Sequence, residues 1–328
     1  MTTHRKLTMA EAIREAMSQE MRRDPKVFLA GEDIGILGGA FGVTGKMIEE
    51  FGKDRMLVTP ISETAIAGIG VGAAAAGYRP IVEIMFADFL GVAMDEIVNQ
   101  AAKMRYMFGG RIKVPMVVRT ACGAGVSGAG QHSQTLEAWV AHIPGLKVVY
   151  PSNAYDAKGL LVSSIRDDNP VIFFEHKFIY GMSTEVPEEE YTIPLGQAKL
   201  VREGKDVTVV VWGLMVYKAL KAAEDLEKQG IMVDIIDIRS MVPLDAESII
   251  NSVKKTGNLV IVQEAYRTAG FAGEIAAIVA EEAFDFLKSP IVRITAPNTT
   301  IPLSPILEDE FIPSPAKIVD AILKIVKK

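Results

Sequence analysis

Short apolar runs alternate with amphipathic stretches along most of the chain. Residues 8–22 begin with the capping-box pattern Thr8-x-x-Glu11 and continue as an amphipathic helix up to Asp24. Six apolar runs follow, and each predicts a buried strand: VFLA (27–30), MLVT (56–59), PIVEIM (80–85), VPMVVRT (114–120), LKVVYP (146–151) and VIFFE (171–175). Helical patterns lie between them, at about 62–77, 88–107, 133–142 and 153–166. This order predicts a mostly parallel sheet with helices on both faces.

The alternation breaks between about 176 and 205, where STEVPEEEYTIPLG carries an acidic cluster and two prolines. It then resumes with strand patterns at 206–213, 233–239, 258–264 and 291–297, separated by helical patterns that include 245–255 and 271–287. A Pro-rich segment precedes a last amphipathic helix at 316–327. We therefore predict two doubly wound α/β domains, residues 1–180 and 206–328, joined by a linker at 181–205.

Composition narrows the possible partners of these domains. The 328 residues are 49% hydrophobic with a mean hydropathy of +0.23, which favours a large subunit interface as the place where excess apolar surface is covered. A net charge of −6 without a Lys/Arg cluster argues against nucleic-acid binding. No apolar run reaches the roughly 20 residues of a membrane span. The single Cys122 excludes an internal disulfide, and together with the charged start of the chain it predicts a cytoplasmic protein.

A glycine-rich loop, CGAGVSGAGQHSQ, follows the predicted strand at 114–120. Gly123, Gly125 and Gly128 match G-x-G-x-x-G, a pattern that can bind a dinucleotide at a strand-to-helix turn. A dinucleotide site also needs an acidic residue after the next strand, but KVVYPSN ends in Pro-Ser-Asn. Three interpretations stay open from these residues: a dinucleotide site, a flexible connection without a ligand, and a loop that presents His132 from a polar cluster.

A second glycine-rich run, TPISETAIAGIGVGAAAAG (59–77), lies inside a helical pattern. Each interior glycine costs a helix roughly 1 kcal/mol relative to alanine, so the small residues suggest close packing against a partner. Glu63 stands at the start of this helix. The ordinary interpretation is that Ser62 caps the helix and Glu63 favours the positive end of its dipole.

Motifs distributed over the whole chain resemble the thiamine diphosphate-dependent E1 β subunits. They occur in the family's order: TPISE, the Gly/Ala-rich helix, EIMFADF, AAKMRYMFGG, GAGQHSQ, HIPGLKVVYPSNAYDAKGLL, RDDNPVIFFE, IIDIRSMVPLD and ITAPNTTIPLSPILEDEFIP. The sequence is most similar to the acetoin dehydrogenase type, followed by pyruvate and branched-chain 2-oxo acid dehydrogenases. The resemblance implies a transketolase-like pyrimidine-binding domain followed by a transketolase C-terminal domain.

The resemblance also implies roles for individual residues. Glu63 matches the glutamate that hydrogen-bonds N1′ of the cofactor's aminopyrimidine and promotes the imino tautomer, whose 4′ nitrogen removes the C2 proton. Phe89 matches the residue that stacks on the pyrimidine, and Ile61 lines the same pocket. His132 matches the active-site histidine that faces the substrate and the lipoyl group. A potassium site is implied at Met116, Ser164, Ile165, Asp167 and Asn169, for which a plain helix end is the competing interpretation.

The family's Mg²⁺ and diphosphate are held by a G-D-G…N segment on a separate α subunit, and GED at 31–33 is the nearest approach here. The resemblance therefore implies an α₂β₂ tetramer with the cofactor across a subunit interface, serving a lipoyl-bearing E2 core. The substrate would be acetoin, pyruvate or a branched-chain 2-oxo acid. Two alternatives are half of a split transketolase-type enzyme and a non-catalytic dinucleotide-binding or scaffold subunit.

Overall fold

The structure is a computed structural model that describes residues 4–326. Residue 327, the last of the predicted C-terminal helix, lies outside this range, as do the outermost residues of the two predicted domains. The described chain packs as two compact units. The first comprises residues 4–122 and 139–195, and the second comprises residues 123–138 and 196–326. The glycine-rich loop thus belongs to the second unit, although it lies within the sequence range predicted for the first domain.

The first unit is built on a parallel sheet, as the buried apolar runs predicted. Its strands are β1 (His4–Thr8), β2 (Val27–Glu32), β3 (Met56–Thr59), β4 (Arg79–Phe86), β5 (Val117–Cys122), β6 (Lys147–Val149), β7 (Val171–His176) and β8 (Ser183–Pro187). Six of them pair in parallel in the order β6-β7-β5-β4-β2-β3. Strands β2, β5 and β7 are buried along their whole length, which is why they read as continuous apolar runs. Strands β1 and β8 form a separate antiparallel pair.

Helices of the first unit match the predictions at 8–22, 62–77 and 153–166, whereas the predicted helix at 133–142 is reduced to Glu137–Ala141 and the helix at Met47–Phe51 was not predicted. The helices are α1 (Met9–Arg23), α2 (Met47–Phe51), α3 (Glu63–Ala75), α4 (Ala102–Met107) and α6 (Ala154–Arg166); the short α5 (Glu137–Ala141) begins in the glycine-rich loop segment. The Thr8–Glu11 capping box forms as predicted. The predicted helix at 88–107 is instead a 3₁₀ turn (Ala87–Gly91), a π-helix (Asp95–Ala101) and then α4. Hydrophobic spacing alone does not distinguish these hydrogen-bond registers.

The second unit has a mixed five-stranded sheet. Its elements are β9 (Lys199–Arg202), β10 (Val207–Val211), α7 (Met215–Glu227), β11 (Val233–Asp237), β12 (Ser240–Val242), α8 (Ala246–Thr256), β13 (Leu259–Tyr266), α9 (Ala272–Glu282), β14 (Val292–Ala296), α10 (Pro305–Phe311) and α11 (Pro315–Val326). The order is β14-β13-β10-β11-β9, parallel except for the edge strand β9. The segment predicted as a linker contains β8 and β9, each paired with a strand of its own unit.

Candidate active site

Glu63 is the first residue of α3, and its side chain is only 8% exposed. Ser62, at the N-cap position, makes no capping hydrogen bond with its side chain, so the ordinary capped helix start is not formed. No hydrogen bond reaches the Glu63 carboxylate from any residue between 4 and 326. The Glu63 oxygens are not among the fully buried atoms that lack a partner, so they retain access to solvent, and an external hydrogen-bonding group can reach them.

A second carboxylate lies near Glu63. Glu32 ends β2, where the carboxyl end of a parallel strand delivers its last side chain to the edge of the sheet. Burial raises the pKa of Glu32, and the charges of Glu63, Asp33 and Glu83 raise it further. Its Oε1 atom is buried without a hydrogen-bond partner within the described chain. Sequence reasoning assigned no role to Glu32, because the predicted strand ended at Ala30, two residues before the observed end of β2.

Phe89 lies in the 3₁₀ turn after β4 and is half-buried. Its ring packs edge-to-face on Phe86, with 5.9 Å between centroids, and Phe86 packs in the same way on Phe41 at 5.9 Å. Ile61, two residues before Glu63, is 81% exposed. The first unit therefore places an exposed aliphatic side chain close in sequence to a buried carboxylate.

A buried network of charged side chains connects three strands of this sheet. Arg119 of β5 is buried and binds Glu175 of β7 through two hydrogen bonds of 2.7 Å, while its third nitrogen donates to Glu83 of β4 at 2.7 Å. Burial opposes the Arg119 charge, but the two carboxylates outweigh burial and raise the pKa of Arg119. The Tyr180 hydroxyl donates to Glu175 at 2.7 Å. This network ties three adjacent strands together and fixes their carboxyl ends.

The glycine-rich loop contains several residues with positive φ. Gly123 and Gly125 have φ values of 89° and 105°, a region that residues with a side chain rarely adopt. Ser127 and Ala129 also have positive φ, at 55° and 58°. The half-buried His132 follows them, and its backbone N–H donates to the Ala129 carbonyl at 3.4 Å. The loop is therefore not a strand-to-helix turn of the dinucleotide-binding type, because no helix begins before Glu137.

Three buried carboxylates hold the loop within the second unit, and sequence reasoning missed all of them. Glu264 accepts a hydrogen bond from the Ala124 N–H at 2.7 Å. Glu308 accepts from two further backbone N–H groups of the loop. Glu137 accepts from the Trp212 indole N–H at 3.1 Å, and burial raises the pKa of Glu137 to about 7. These contacts join residues up to 183 positions apart, so no local pattern signals them.

Four of the five residues implied for potassium lie at the C-terminal end of α6. Ser164 and Ile165 belong to its last turn, Asp167 is the C-cap residue, and Asn169 follows. The Arg79 guanidinium donates to the carbonyl oxygens of Ile165 at 3.0 Å and Asp167 at 2.9 Å. A carbonyl oxygen has two lone pairs, so this protein cation and a bound metal ion would share the same two oxygens.

The remaining implied ligands also have protein partners. The Met116 carbonyl accepts a hydrogen bond from the Val171 N–H at 2.9 Å. The Asn169 side-chain oxygen accepts from Arg105, and the Asp167 carboxylate pairs with Lys147. Among residues 4–326 there is no cluster of three or more His, Cys, Asp and Glu side chains able to hold a metal ion. In the same range no helix is long and apolar enough to cross a bilayer.

Comparison with known proteins identifies both units as transketolase-type domains. Residues 5–182 match the family described as "Transketolase, pyrimidine binding domain", and residues 196–318 match "Transketolase, C-terminal domain". A solved "Split gene transketolase, inactive beta4 tetramer" has a TM-score of 0.80 at 22% identity and covers 98% of each chain. A similarity at this identity concerns the fold alone.

Curated relatives are closer in sequence. The β subunit of acetoin:2,6-dichlorophenolindophenol oxidoreductase from Cupriavidus necator is 51% identical and covers 98% of both chains. Its namesake from Bacillus subtilis is 49% identical, covering 98% of this chain and 97% of that one. The pyruvate dehydrogenase E1 β subunit of Rhizobium meliloti is 48% identical over 96% of this chain and 69% of the relative. The chain belongs to the family of thiamine diphosphate-dependent E1 β subunits, which confirms the predicted family and fold class.

Proposed function

We propose that this chain is the β subunit of an E1 component that cleaves acetoin and passes the resulting acyl unit to lipoamide on E2. The observation that carries the proposal is the 49–51% identity, over nearly the whole chain, to two β subunits of acetoin-oxidising enzymes. Pyruvate and branched-chain 2-oxo acids are the competing substrates, because relatives that act on them are 46–48% identical.

The buried carboxylate of Glu63 supports a thiamine diphosphate site. When bound, thiamine diphosphate supplies a carbon nucleophile at thiazolium C2. Glu63 would hydrogen-bond N1′ of the aminopyrimidine and hold or release the proton at that nitrogen. The Glu63 carboxylate at the start of α3 fits this role, because it accepts no hydrogen bond within residues 4–326 and is therefore available to N1′. General acid–base assistance of this kind is worth about 10²–10⁴ in rate.

Phe89 and Ile61 would form the apolar walls of the same site. The half-buried ring of Phe89 is held by Phe86 and offers a face on which the flat pyrimidine would stack. Exposed Ile61 would be covered by the cofactor and by the partner subunit. Covering these side chains would exclude water around Glu63 and strengthen its hydrogen bond.

The proposed partner is an E1 α subunit in an α₂β₂ tetramer, which would hold Mg²⁺ and the diphosphate. Exposed apolar side chains support such an interface. Ile36, Leu37 and Val58 are 95%, 71% and 51% exposed and line a cleft of about 540 Å³ in the first unit. Large exposed apolar groups that lie together mark interaction surfaces.

His132 is proposed to act during acyl transfer to the lipoyl group of E2. Its half-buried position after a shaped loop supports a side chain held at a fixed place rather than one on a mobile connection. The imidazole would deliver a proton to the lipoyl sulfur that is released when the disulfide opens. This role and that of Glu63 belong to different steps, so variants can separate them.

Potassium at the end of α6 and a location in the cytoplasm are further parts of the proposal. The backbone carbonyls of Ile165 and Asp167 are suitable ligands for a hard cation, and Arg79 would be its neighbour. The buried free thiol of Cys122 is compatible with a reducing compartment.

The proposal is tested by reconstituting this chain with its α subunit and measuring dichlorophenolindophenol reduction with acetoin, pyruvate and 2-oxoisovalerate. We expect kcat/KM for acetoin to exceed that for either 2-oxo acid by at least about tenfold, a difference of about 1.4 kcal/mol in transition-state binding. A higher kcat/KM for pyruvate would overturn the substrate assignment. Activity of the chain without the α subunit would overturn the shared site.

A further inference from the structure

Glu308 joins α10 to the loop that carries His132. Its side chain is 2% exposed. One carboxylate oxygen accepts the Gly125 N–H and the other accepts the Ser127 N–H, both at 2.8 Å. The two bonds form a bidentate bridge to residues that are only two positions apart. Both partners lie within the second unit.

The bridge compensates a buried charge. Within residues 4–326 the Glu308 carboxylate makes no ion pair, so the two backbone N–H dipoles provide its main stabilisation. Hydrogen bonds to an ionised carboxylate are shorter and stronger than neutral ones. The Ser127 hydroxyl adds a longer contact to the same carboxylate, at 3.5 Å. The Glu308 carboxylate therefore fixes the orientation of the peptide groups that carry the Gly125 and Ser127 N–H.

The bridged segment has a conformation that needs such support. Ser127 and Ala129 have positive φ, which residues with a Cβ rarely adopt unless their surroundings over-determine it. A Cβ on Gly130 would lie 2.4 Å from the Thr300 side chain, so the loop also packs closely just before His132. Between the bridge and His132 there are only four residues, 128–131.

We infer that Glu308 is a positioning residue for His132. It sets the backbone of residues 125–127, and the short closely packed segment that follows transmits this setting to the imidazole. The inference rests on the proposed role of His132 in transfer to lipoamide. The Glu308 carboxylate contacts the Gly125 and Ser127 N–H groups and the Ser127 hydroxyl, all of them in the loop, so Glu308 is not a catalytic residue.

Glu308→Gln is the decisive variant because it keeps the size of the side chain. A carboxamide accepts through one atom and presents an N–H₂ group at the other. One of the two bonds would survive, while the other loop N–H would face a donor. Glu310→Gln is the matched control, since it makes the same change on the same helix at a side chain that is 79% exposed.

The experiment uses the reconstituted α₂β₂ enzyme and three readouts. Hydrogen exchange of the peptide spanning 123–134 reports the loop. Reductive acylation of free lipoamide, whose disulfide accepts the acyl unit, reports transfer. Exchange of the cofactor's C2 proton reports activation, which should not depend on Glu308. We expect faster amide exchange, transfer reduced at least about tenfold and C2 exchange within about twofold of wild type, because a small misplacement of a catalytic group is costly.

The double variant with His132→Ala distinguishes positioning from an independent effect. If Glu308 acts through His132, adding Glu308→Gln to His132→Ala should reduce transfer by less than about twofold. Unchanged transfer in the single variant, or a fully additive loss in the double variant, would overturn the inference. If His132→Ala alone leaves transfer intact, the proposed role of His132 fails and the positioning role fails with it. Faster exchange of residues 123–134 would then show that Glu308 still anchors the loop.

Discussion

Glu137→Gln should stabilise the chain at alkaline pH and have little effect under acidic conditions. Glu137 is fully buried, and burial raises its pKa from 4.5 to about 7. A hydrogen bond from the Glu137 backbone and one from the Trp212 indole N–H oppose this rise, and the nearby Glu264 charge reinforces it. The Oε2 atom has no hydrogen-bond partner within residues 4–326, so ionisation places charge on an atom without compensation.

The size and sign of the effect follow from the two pKa values. Because the folded pKa of Glu137 is raised, the folded state retains its proton where the unfolded state has lost it. The associated stability is fully present below pH 4.5 and is lost as pH rises through about 7. A difference of about 2.5 pKa units corresponds to about 3 kcal/mol, which is an upper bound because the site relaxes and admits water. Glutamine keeps the hydrogen bond to Trp212 and never ionises.

The assay is urea unfolding of the wild type and the variant at pH 5 and pH 8, followed by tryptophan fluorescence. The advantage of the variant should grow between the two pH values by roughly 1–3 kcal/mol. Glu310→Gln, at an exposed position, should show no such growth. An equal difference between variant and wild type at both pH values would refute the reasoning, because it would mean that Glu137 does not titrate in this window.

Three other changes test separate parts of the account. Gly145→Ala should lower the unfolding free energy by more than about 2 kcal/mol, because its Cβ would lie 2.0 Å from the Ala102 carbonyl oxygen at a φ of 106°. The control Gly181→Ala, whose Cβ would enter open space, should lower it by less than about 0.5 kcal/mol. Equal losses for the two variants in urea titrations would contradict this prediction. His132→Ala should bind thiamine diphosphate normally in calorimetry yet lose lipoamide acylation, and intact acylation would remove it from the mechanism. Arg79→Met should make the melting temperature higher in KCl than in choline chloride, since the carbonyls lose their cation; identical melting in both salts would argue against a potassium site.

The alternation of apolar runs predicted the strands well because parallel strands buried on both faces consist of β-branched and aliphatic residues. It failed where the backbone departs from α-helical spacing, as between residues 87 and 107, and where an element is too short or too polar to show a period. The pair β1 and β8 is an example, since the HRKLT and STEVP segments contribute only Leu7 and Val186 as apolar residues, too few to show a period. Pairing of such strands is decided by tertiary contacts.

Within the site, the sequence identified residues whose motif lies in one short segment. Glu63, Phe89 and His132 each belong to such a segment, and their roles remain predictions. Glu308 could not be found in this way, because its partners Gly125 and Ser127 are more than 180 residues away and contribute mainly backbone N–H groups. A backbone donor has the same chemistry in every residue, so no residue type marks it.

The most direct test of the account is the rate of C2 proton exchange in the assembled α₂β₂ enzyme carrying Glu63→Gln. Glutamine preserves the size of the side chain but cannot exchange a proton with N1′, so we expect exchange to slow by about 10² or more while assembly and melting temperature stay close to wild type. Ser62→Ala, which changes the neighbouring polar residue at the same helix start, should leave exchange within about twofold. Exchange within about threefold of wild type for Glu63→Gln, in a properly assembled tetramer, would contradict the central claim that this buried carboxylate activates thiamine diphosphate.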